Sequence, residues 1–245
     1  MTASVAFFLF AVAASAQPAF EVASIKPGTL FTQEAFRAGQ RPPIGMTIDG
    51  ARASYRGMTL QALVILASGV KTFQVAGPDW TRRDVYDIAA KLPEGSTPEQ
   101  APAMLQTLLA DRFHLALRRE TKEFSVYELV VVNAAKLTPR PADYDSTLKS
   151  AVRPLTLESY SLLVGLGLDR PVLDVTGMKG EYLLPIEDLI RAGMRERMAR
   201  LSPTAVEEGG PTPFGIVQAH GLKLEPRKLE MPFLTIEHAE KPTEN

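Results

Sequence analysis

The sequence predicts an α+β protein built from two pseudo-repeated small α/β units, each a sheet packed against two helices. Three short motifs recur in the same order roughly a hundred positions later. They are Thr59-Leu60, which recurs as Thr156-Leu157, Tyr86, which recurs as Tyr182, and Phe113-His114-Leu115, which recurs as Leu222-Lys223-Leu224. The first two motifs return at nearly the same offset, whereas the third returns later. The second copy is therefore expected to hold an insertion between Tyr182 and Leu222.

The first unit is predicted to run strand, helix, strand, helix, hairpin. Leu60, Leu63, Val64 and Ala67 share one face of a helix, which Thr59 can cap and Gly69 can end. The other elements are an opening or edge strand from 20 to 25, a hairpin signal at Asp49-Gly50, a strand from 85 to 92, a helix from about 98 with an apolar stripe at Met104, Leu105, Leu108 and Leu109, and a hairpin of 115–120 with 126–132 around Thr121-Lys122-Glu123.

A linker from 133 to 154, which is rich in proline and poor in periodicity, is predicted to precede the second unit at 155–245. That unit repeats the order with a helix at 156–166, strands at 172–175 and 181–186, a short helix at 214–219, and strands at 222–225 and 233–237. Residues 187–200 predict an amphipathic helix with Arg191, Arg195, Arg197 and Arg200 on its polar face. This inserted helix accounts for the extra length of the second copy.

Composition limits the possible partners. At 245 residues and 45% apolar content the chain can bury a sizeable core. The formal charge of -1 provides no long-range field for phosphate backbones or anionic lipid, so no nucleic acid partner is expected and a lipid partner is not favoured. The absence of cysteine excludes disulfides, thiol nucleophiles, Cys-ligated zinc and iron-sulfur clusters.

The N-terminal segment from Met1 to Ala16 predicts export. Val5 to Val12 is an uninterrupted apolar run, and Ala14-Ser15-Ala16 offers the small residues of a signal peptidase site, so cleavage is expected after Ala16. The run is too short to span a bilayer of about 30 Å, and no stable membrane span is expected after cleavage. Only the Met1 amine is positive before the run, so a buried N-terminal strand or helix is the alternative. The expected location is periplasmic or secreted.

Several motifs together resemble a known family. They are Phe20-Glu21-Val22-Ala23-Ser24-Ile25-Lys26-Pro27, Gly77-Pro78-Asp79-Trp80, Tyr86-Asp87-Ile88, Leu108-Leu109-Ala110-Asp111-Arg112-Phe113, Arg119-Glu120-Thr121, Arg170-Pro171-Val172 with Asp174 and Thr176-Gly177, and Glu240-Lys241-Pro242-Thr243-Glu244-Asn245. The chain resembles, from Phe20 to Asn245, a soil-associated secreted family of unknown function that is multiplied as paralogues in acidobacteria. The resemblance implies export, and in some members attachment to membrane metallopeptidases of the beta-lactam-sensor type, but no catalytic residues.

Catalytic motifs are not found in the sequence, and no catalytic, cofactor-binding or metal-binding residue is predicted. His114, His220 and His238 have no ligand spacing, and no Gly-x-Ser-x-Gly, phosphate loop or His-Glu-x-x-His occurs. Gly165 and Gly167 begin like a dinucleotide fingerprint but follow a helix, which they are expected to end. No cofactor is expected, and the protein is not expected to be an enzyme.

Two features are candidate partner or ligand surfaces. Trp80, the only tryptophan, follows Asp79 between a helix and a strand, where packing is favoured over presentation to a ligand because such a ring is costly to leave in water. The helix that carries Arg191 and Arg195 can dock on an acidic partner or an anionic surface, or can simply be solvated.

These observations favour a non-enzymatic exported module that binds a protein or an envelope component. Two alternatives stay open: an extracytoplasmic sensory domain that binds a small ligand between the two units, and an unrecognised hydrolase. Duplication of a small unit and an export signal are the reasons for placing the binding module first.

Overall fold

A computed structural model describes residues 17–28, 44–145, 151–201 and 210–242. The predicted signal peptide at 1–16 lies outside these residues. Within them, five α-helices and ten β-strands form several sheets, so the α+β class is confirmed. The strands are β1 (Val22–Pro27), β2 (Gly45–Asp49), β3 (Arg52–Thr59), β4 (Val75–Ala76), β5 (Val85–Lys91), β6 (Ala116–Val131), β7 (Val152–Leu155), β8 (Val172–Asp174), β9 (Tyr182–Pro185) and β10 (Leu222–His238). The helices are α1 (Leu60–Ser68), α2 (Ala101–Phe113), α3 (Leu157–Gly167), α4 (Ile186–Leu201) and α5 (Pro213–Ala219).

The chain divides into two compact units. Unit 1 comprises Met1–Glu120 and Pro232–Asn245, and unit 2 comprises Thr121–Met231. The borders fall inside β6 and β10, which are 16 and 17 residues long. In the segment from 133 to 154, Leu137 is buried in the core of unit 2 and β7 forms a strand.

Unit 1 contains an antiparallel sheet of order β1-β5-β3-β2, with α1 and α2 packed into the same core. Along β5, Tyr86, Ile88 and Ala90 are buried while the residues between them are exposed, because successive side chains of a strand point to opposite faces. The predicted hairpin at Asp49-Gly50 joins β2 to β3, with Gly50 at a φ of 54°. The short strand β4 pairs in parallel with β10, at Val75 opposite Leu234.

Unit 2 contains the antiparallel pair β7-β9, and β8 pairs in parallel with β6. Its core gathers side chains from β6, α3, β8, β9, α4, α5 and β10: Leu129, Leu137, Leu157, Tyr160, Val164, Val172, Tyr182, Leu184, Leu189, Val217, Leu222 and Leu224. The helix expected at 187–200 is present as α4 and lies in sequence between β9 and α5.

Two predicted interruptions between strands are wrong. The hairpin expected around Thr121-Lys122-Glu123 is one continuous strand, β6, and the separate strands expected at 222–225 and 233–237 are one strand, β10. The polar residues are strand positions, and Glu123 pairs with Lys228 of β10 at 2.8 Å. None of the three residues supplies the left-handed conformation that a tight hairpin turn needs.

The helices that follow β3 and β7 begin in the same way. The Thr59 hydroxyl accepts from the backbone N–H of Ala62 at 3.2 Å, and the Thr156 hydroxyl accepts from that of Ser159 at 3.1 Å. Each cap satisfies an N–H group that the first helical turn leaves unpaired. Both units thus share a strand, a capped helix, a short strand with a parallel neighbour, a strand and a further helix. The pseudo-repeat itself stays a prediction.

Leu234 of β10 is fully buried in the core of unit 1. We expect Leu234→Ala to lower the free energy of unfolding by about 2–4 kcal/mol, because it removes buried methyl groups and leaves a cavity. Leu166→Ala, at a leucine that is 75% exposed, is expected to change it by less than about 0.5 kcal/mol. Urea unfolding followed by circular dichroism measures both, and equal effects would contradict the placement of Leu234.

Burial raises the pKa of Tyr55 to about 12, and its hydroxyl has no hydrogen-bond partner among the described residues. The unfolded chain releases this proton near pH 10 and the folded chain near pH 12. The free energy of unfolding is therefore unaffected by this titration below pH 10, and it falls as pH rises towards 12. We expect Tyr55→Phe to be at least as stable as wild type at pH 9, and to gain about 1 kcal/mol relative to wild type by pH 11. Urea unfolding at both pH values tests this, and a constant difference would count against it.

Candidate functional site

Trp80 packs partly buried against the core of unit 1. The Nζ atom of Lys241 lies 5.9 Å from the centre of its ring and 2.7 Å from the Asp84 carboxylate. The ring thus contacts both the core of unit 1 and the Lys241 ammonium group of the same chain.

Asp79 precedes it in an exposed cluster of charges. Its carboxylate accepts from Arg82 at 2.6 Å and from Arg83 at 2.9 Å. The hydrogen bond from Arg82, followed by the charge of Arg83, lowers the pKa of Asp79. Since Asp79 and Trp80 belong to unit 1 and the predicted pair Arg191 and Arg195 to unit 2, the four residues divide between two units.

Three of the four arginines of α4 contact other residues of their own unit. Arg191 lies 3.7 Å from the Glu187 carboxylate and 3.6 Å from that of Asp188, both in the first turn of the helix. Arg195 donates to the carbonyl of Pro211 at 2.7 Å, and Arg200 donates to the carbonyl of Gly167 at 3.0 Å. Arg195 and Arg200 therefore anchor the helix through neutral acceptors.

An exposed apolar stripe on α4 is the surface feature that the sequence reasoning missed. Ile190, Met194, Met198 and Leu201 are 44%, 63%, 56% and 71% exposed. At about 100° of rotation per residue, the last three lie at about 40°, 80° and 20° around the helix from Ile190, so the stripe is about 80° wide. The spacing is visible in the sequence, although only the arginines are predicted from it as the binding feature of this helix.

The inner face of α4 packs against α3 through glycine. Ala192 and Gly193 are buried, and a Cβ atom built on Gly193 would lie 2.9 Å from the Cα atom of Gly167 on α3. Because side chains would hold the two backbones apart, the absence of a Cβ on both residues permits this close approach. The contact turns the stripe of α4 away from the core of unit 2.

The structure brings two histidines together that the sequence did not connect. The Glu240 carboxylate lies 3.9 Å from Nε2 of His114 and 3.1 Å from Nε2 of His238. His114 ends α2 in the left-handed conformation, with a φ of 47°. Among the residues that the structure describes, no group of three or more His, Asp and Glu side chains is arranged to hold a metal ion, and no helix is long and apolar enough to cross a membrane.

Unit 1 has several surface depressions. One of about 590 Å³ lies on the end of its sheet and is lined by residues that include Val22, Asp49, Arg52 and Lys91. Its charged groups are surface residues, and Lys91 pairs with Glu21 at 2.8 Å. The apolar stripe of α4 is therefore the stronger candidate site.

The fold and this surface define an α+β protein of two compact units, one of which exposes an amphipathic helix. The chain belongs to a family described as protein of unknown function (DUF3738), whose sequence pattern matches residues 61–239. No curated protein and no solved structure matches the chain. The expected membership of a family of unknown function is thus confirmed, and it assigns no activity or site.

The contact between α3 and α4 predicts an unusual response to alanine. Gly193→Ala would gain about 1 kcal/mol from helix propensity alone, but the new methyl group would meet the backbone of Gly167. We expect a net loss of about 1–3 kcal/mol, because the helices have to separate. The measurement is urea unfolding.

Gly215→Ala on α5 is the matched control. A Cβ atom on residue 215 would lie 3.5 Å from the Thr212 hydroxyl oxygen, an ordinary contact distance. We therefore expect the free energy of unfolding to stay the same or to rise by up to about 1 kcal/mol. If both variants were stabilised, the close approach of α3 and α4 would be wrong.

Proposed function

We propose that the protein is an exported, non-enzymatic binding module of the cell envelope, and that the outward face of α4 is its binding surface. The apolar stripe of Ile190, Met194, Met198 and Leu201 is the single observation that carries the proposal. A surface helix of a soluble protein normally turns charged and polar residues outward. Four large apolar side chains on the outer face are typical of a contact surface.

The chemistry of the stripe suits binding. Two of its four residues are methionines, whose flexible thioether side chains adapt to different partner shapes. Burying each side chain would contribute on the order of 1–2 kcal/mol, since all four are already partly covered. The stripe thus offers enough apolar area for a specific interaction of moderate affinity.

The helix is held firmly before any partner arrives. Arg200 is bonded to the end of α3, Arg195 to Pro211, and Gly193 sits against Gly167. A surface fixed in one conformation loses less conformational entropy when it binds than a mobile segment does. The anchoring contacts therefore support a role in recognition.

Export rests on the sequence from Met1 to Ala16. Its apolar run and the Ala14-Ser15-Ala16 site are typical of a signal peptide, and processing after Ala16 would leave Gln17 at the start of the mature chain. An exported chain would bind its partner in the cell envelope. No sequence motif of a hydrolase, a nucleotide site or a zinc enzyme argues for catalysis instead.

The absence of cysteine allows a clean crosslinking test. Met194→Cys is labelled with a benzophenone maleimide, added to envelope preparations of the producing cells, and irradiated. We expect adducts from position 194, because the stripe is buried in the complex, and we expect the exported chain isolated from the envelope fraction to begin at Gln17. Gel shifts, mass spectrometry and N-terminal sequencing provide the readouts.

Met46→Cys, at an exposed methionine of unit 1, is the control position. Adducts that form equally at 46 and 194 would indicate random encounters and would contradict a binding surface on α4. Recovery of the protein only from the cytoplasmic fraction would contradict export.

A further inference from the structure

We infer that the outward face of α4 binds the surface of a lipid bilayer that carries anionic headgroups, with the helix lying flat on it. The inference rests on the proposed function, because it names the partner of the same surface. It follows from the arrangement of charges around the apolar stripe.

The stripe is bordered by arginine on both sides. Measured around the helix from Ile190, the stripe extends from 0° to about 80°, Arg197 lies at about -20° and Arg191 at about 100°. Arg200 and Arg195 lie further from the stripe, one beyond each border. An apolar strip between two basic borders is the pattern of a helix that lies in a membrane interface, with its apolar side chains inserted and its cations at headgroup level.

The positive charge is local. Across α4 the four arginines outnumber the three carboxylates of Glu187, Asp188 and Glu196, a formal charge of +1, although the whole protein has a formal charge of -1. Within the described part of the chain, no carboxylate forms an ion pair with Arg195, Arg197 or Arg200, and the acceptors of Arg195 and Arg200 are neutral carbonyls. Because Arg191 is balanced by Glu187 and Asp188, the unbalanced positive charge lies in the last three turns of α4, where it is complementary to anionic headgroups.

Two of the three acidic residues of α4 lie in its first turn, ahead of Ile190, although Glu187 shares the angular position of the stripe at about 60°. Glu187 and Asp188 occupy the first turn, where they pair with Arg191 and interact favourably with the positive end of the helix dipole. Glu196 and Arg200 both lie on the packed side, between the angular positions of Ala192 and Gly193, and Arg200 donates to the carbonyl of Gly167 there. The last three turns thus present Arg197 and the apolar side chains outward, and we expect them to make the membrane contact.

The shape of the surface favours a bilayer over a protein. The stripe runs along one convex helix for about 17 Å, from Ile190 to Leu201. A protein partner would need a matching apolar groove with acidic residues along both rims. A bilayer surface meets the same requirements without a preformed shape, because lipids rearrange around inserted side chains.

Vesicle flotation tests the inference with the processed chain isolated from cells. The protein is mixed with vesicles of phosphatidylcholine alone or with about a third phosphatidylglycerol, and the bound fraction is measured after centrifugation. We expect binding to the anionic vesicles, much weaker binding to the neutral ones, and a marked decrease when salt is raised from about 0.1 to about 0.5 M.

Two double variants address the two parts of the surface. Met194→Glu with Met198→Glu is expected to lower binding to anionic vesicles at least tenfold. Arg191→Gln with Arg197→Gln is expected to lower it about fivefold for each charge removed. Met46→Glu, and Arg52→Gln with Arg56→Gln, make the same chemical changes at exposed positions of unit 1 and are expected to retain wild-type binding.

The outcomes separate this inference from the proposed function. Absence of binding to anionic vesicles, or an equal loss in the unit 1 controls, overturns the bilayer inference. If position 194 still forms specific protein adducts in the envelope, the binding module stands with a protein partner. If neither vesicles nor envelope components bind, both proposals fail.

Discussion

The two long strands β6 and β10 are the constraint on which both units depend. Leu234 and Ile236 of β10 lie in the core of unit 1, whereas Leu222 and Leu224 of the same strand lie in the core of unit 2. The parallel pairing of β4 with β10 joins Val75 to Leu234, far along the chain. Neither core is complete until distant parts of the chain meet, so contacts of long sequence separation dominate folding, and such contacts form slowly.

Charge pairs accompany these strands where they are exposed. Arg118 pairs with Glu237 at 2.7 Å in unit 1, and Lys228 pairs with Glu123 at 2.8 Å in unit 2. Exposed pairs of this kind contribute little to stability, at about 0–1 kcal/mol each. The charged side chains have a second effect, because on exposed strands they oppose pairing with strands of other chains.

The sequence predicted those parts of the fold that local chemistry decides. Thr59 and Gly69 bound α1 as expected, since a cap and a left-handed glycine act within a few residues. The continuity of β6 could not be predicted in this way, because Thr121-Lys122-Glu123 looks like a turn until β10 lies beside it. For the candidate site, the sequence predicts the arginines of α4 but not the apolar stripe. The helix has apolar residues on two faces, and the sequence pattern alone does not show which of the two faces is buried.

Glycine decides which face of α4 is buried. Ala192 and Gly193 give the helix a narrow inner side that fits closely against Gly167, and the larger Ile190 and Met194 cannot occupy that space. Leu189 is buried beside these two small residues, whereas Ile190 and Met194 are left outside by the packing of the unit itself. A helix that packs inward through Leu189, Ala192 and Gly193 and leaves its outer apolar face exposed has its unpartnered apolar surface on the outside, which supports placing the binding surface of this protein in unit 2.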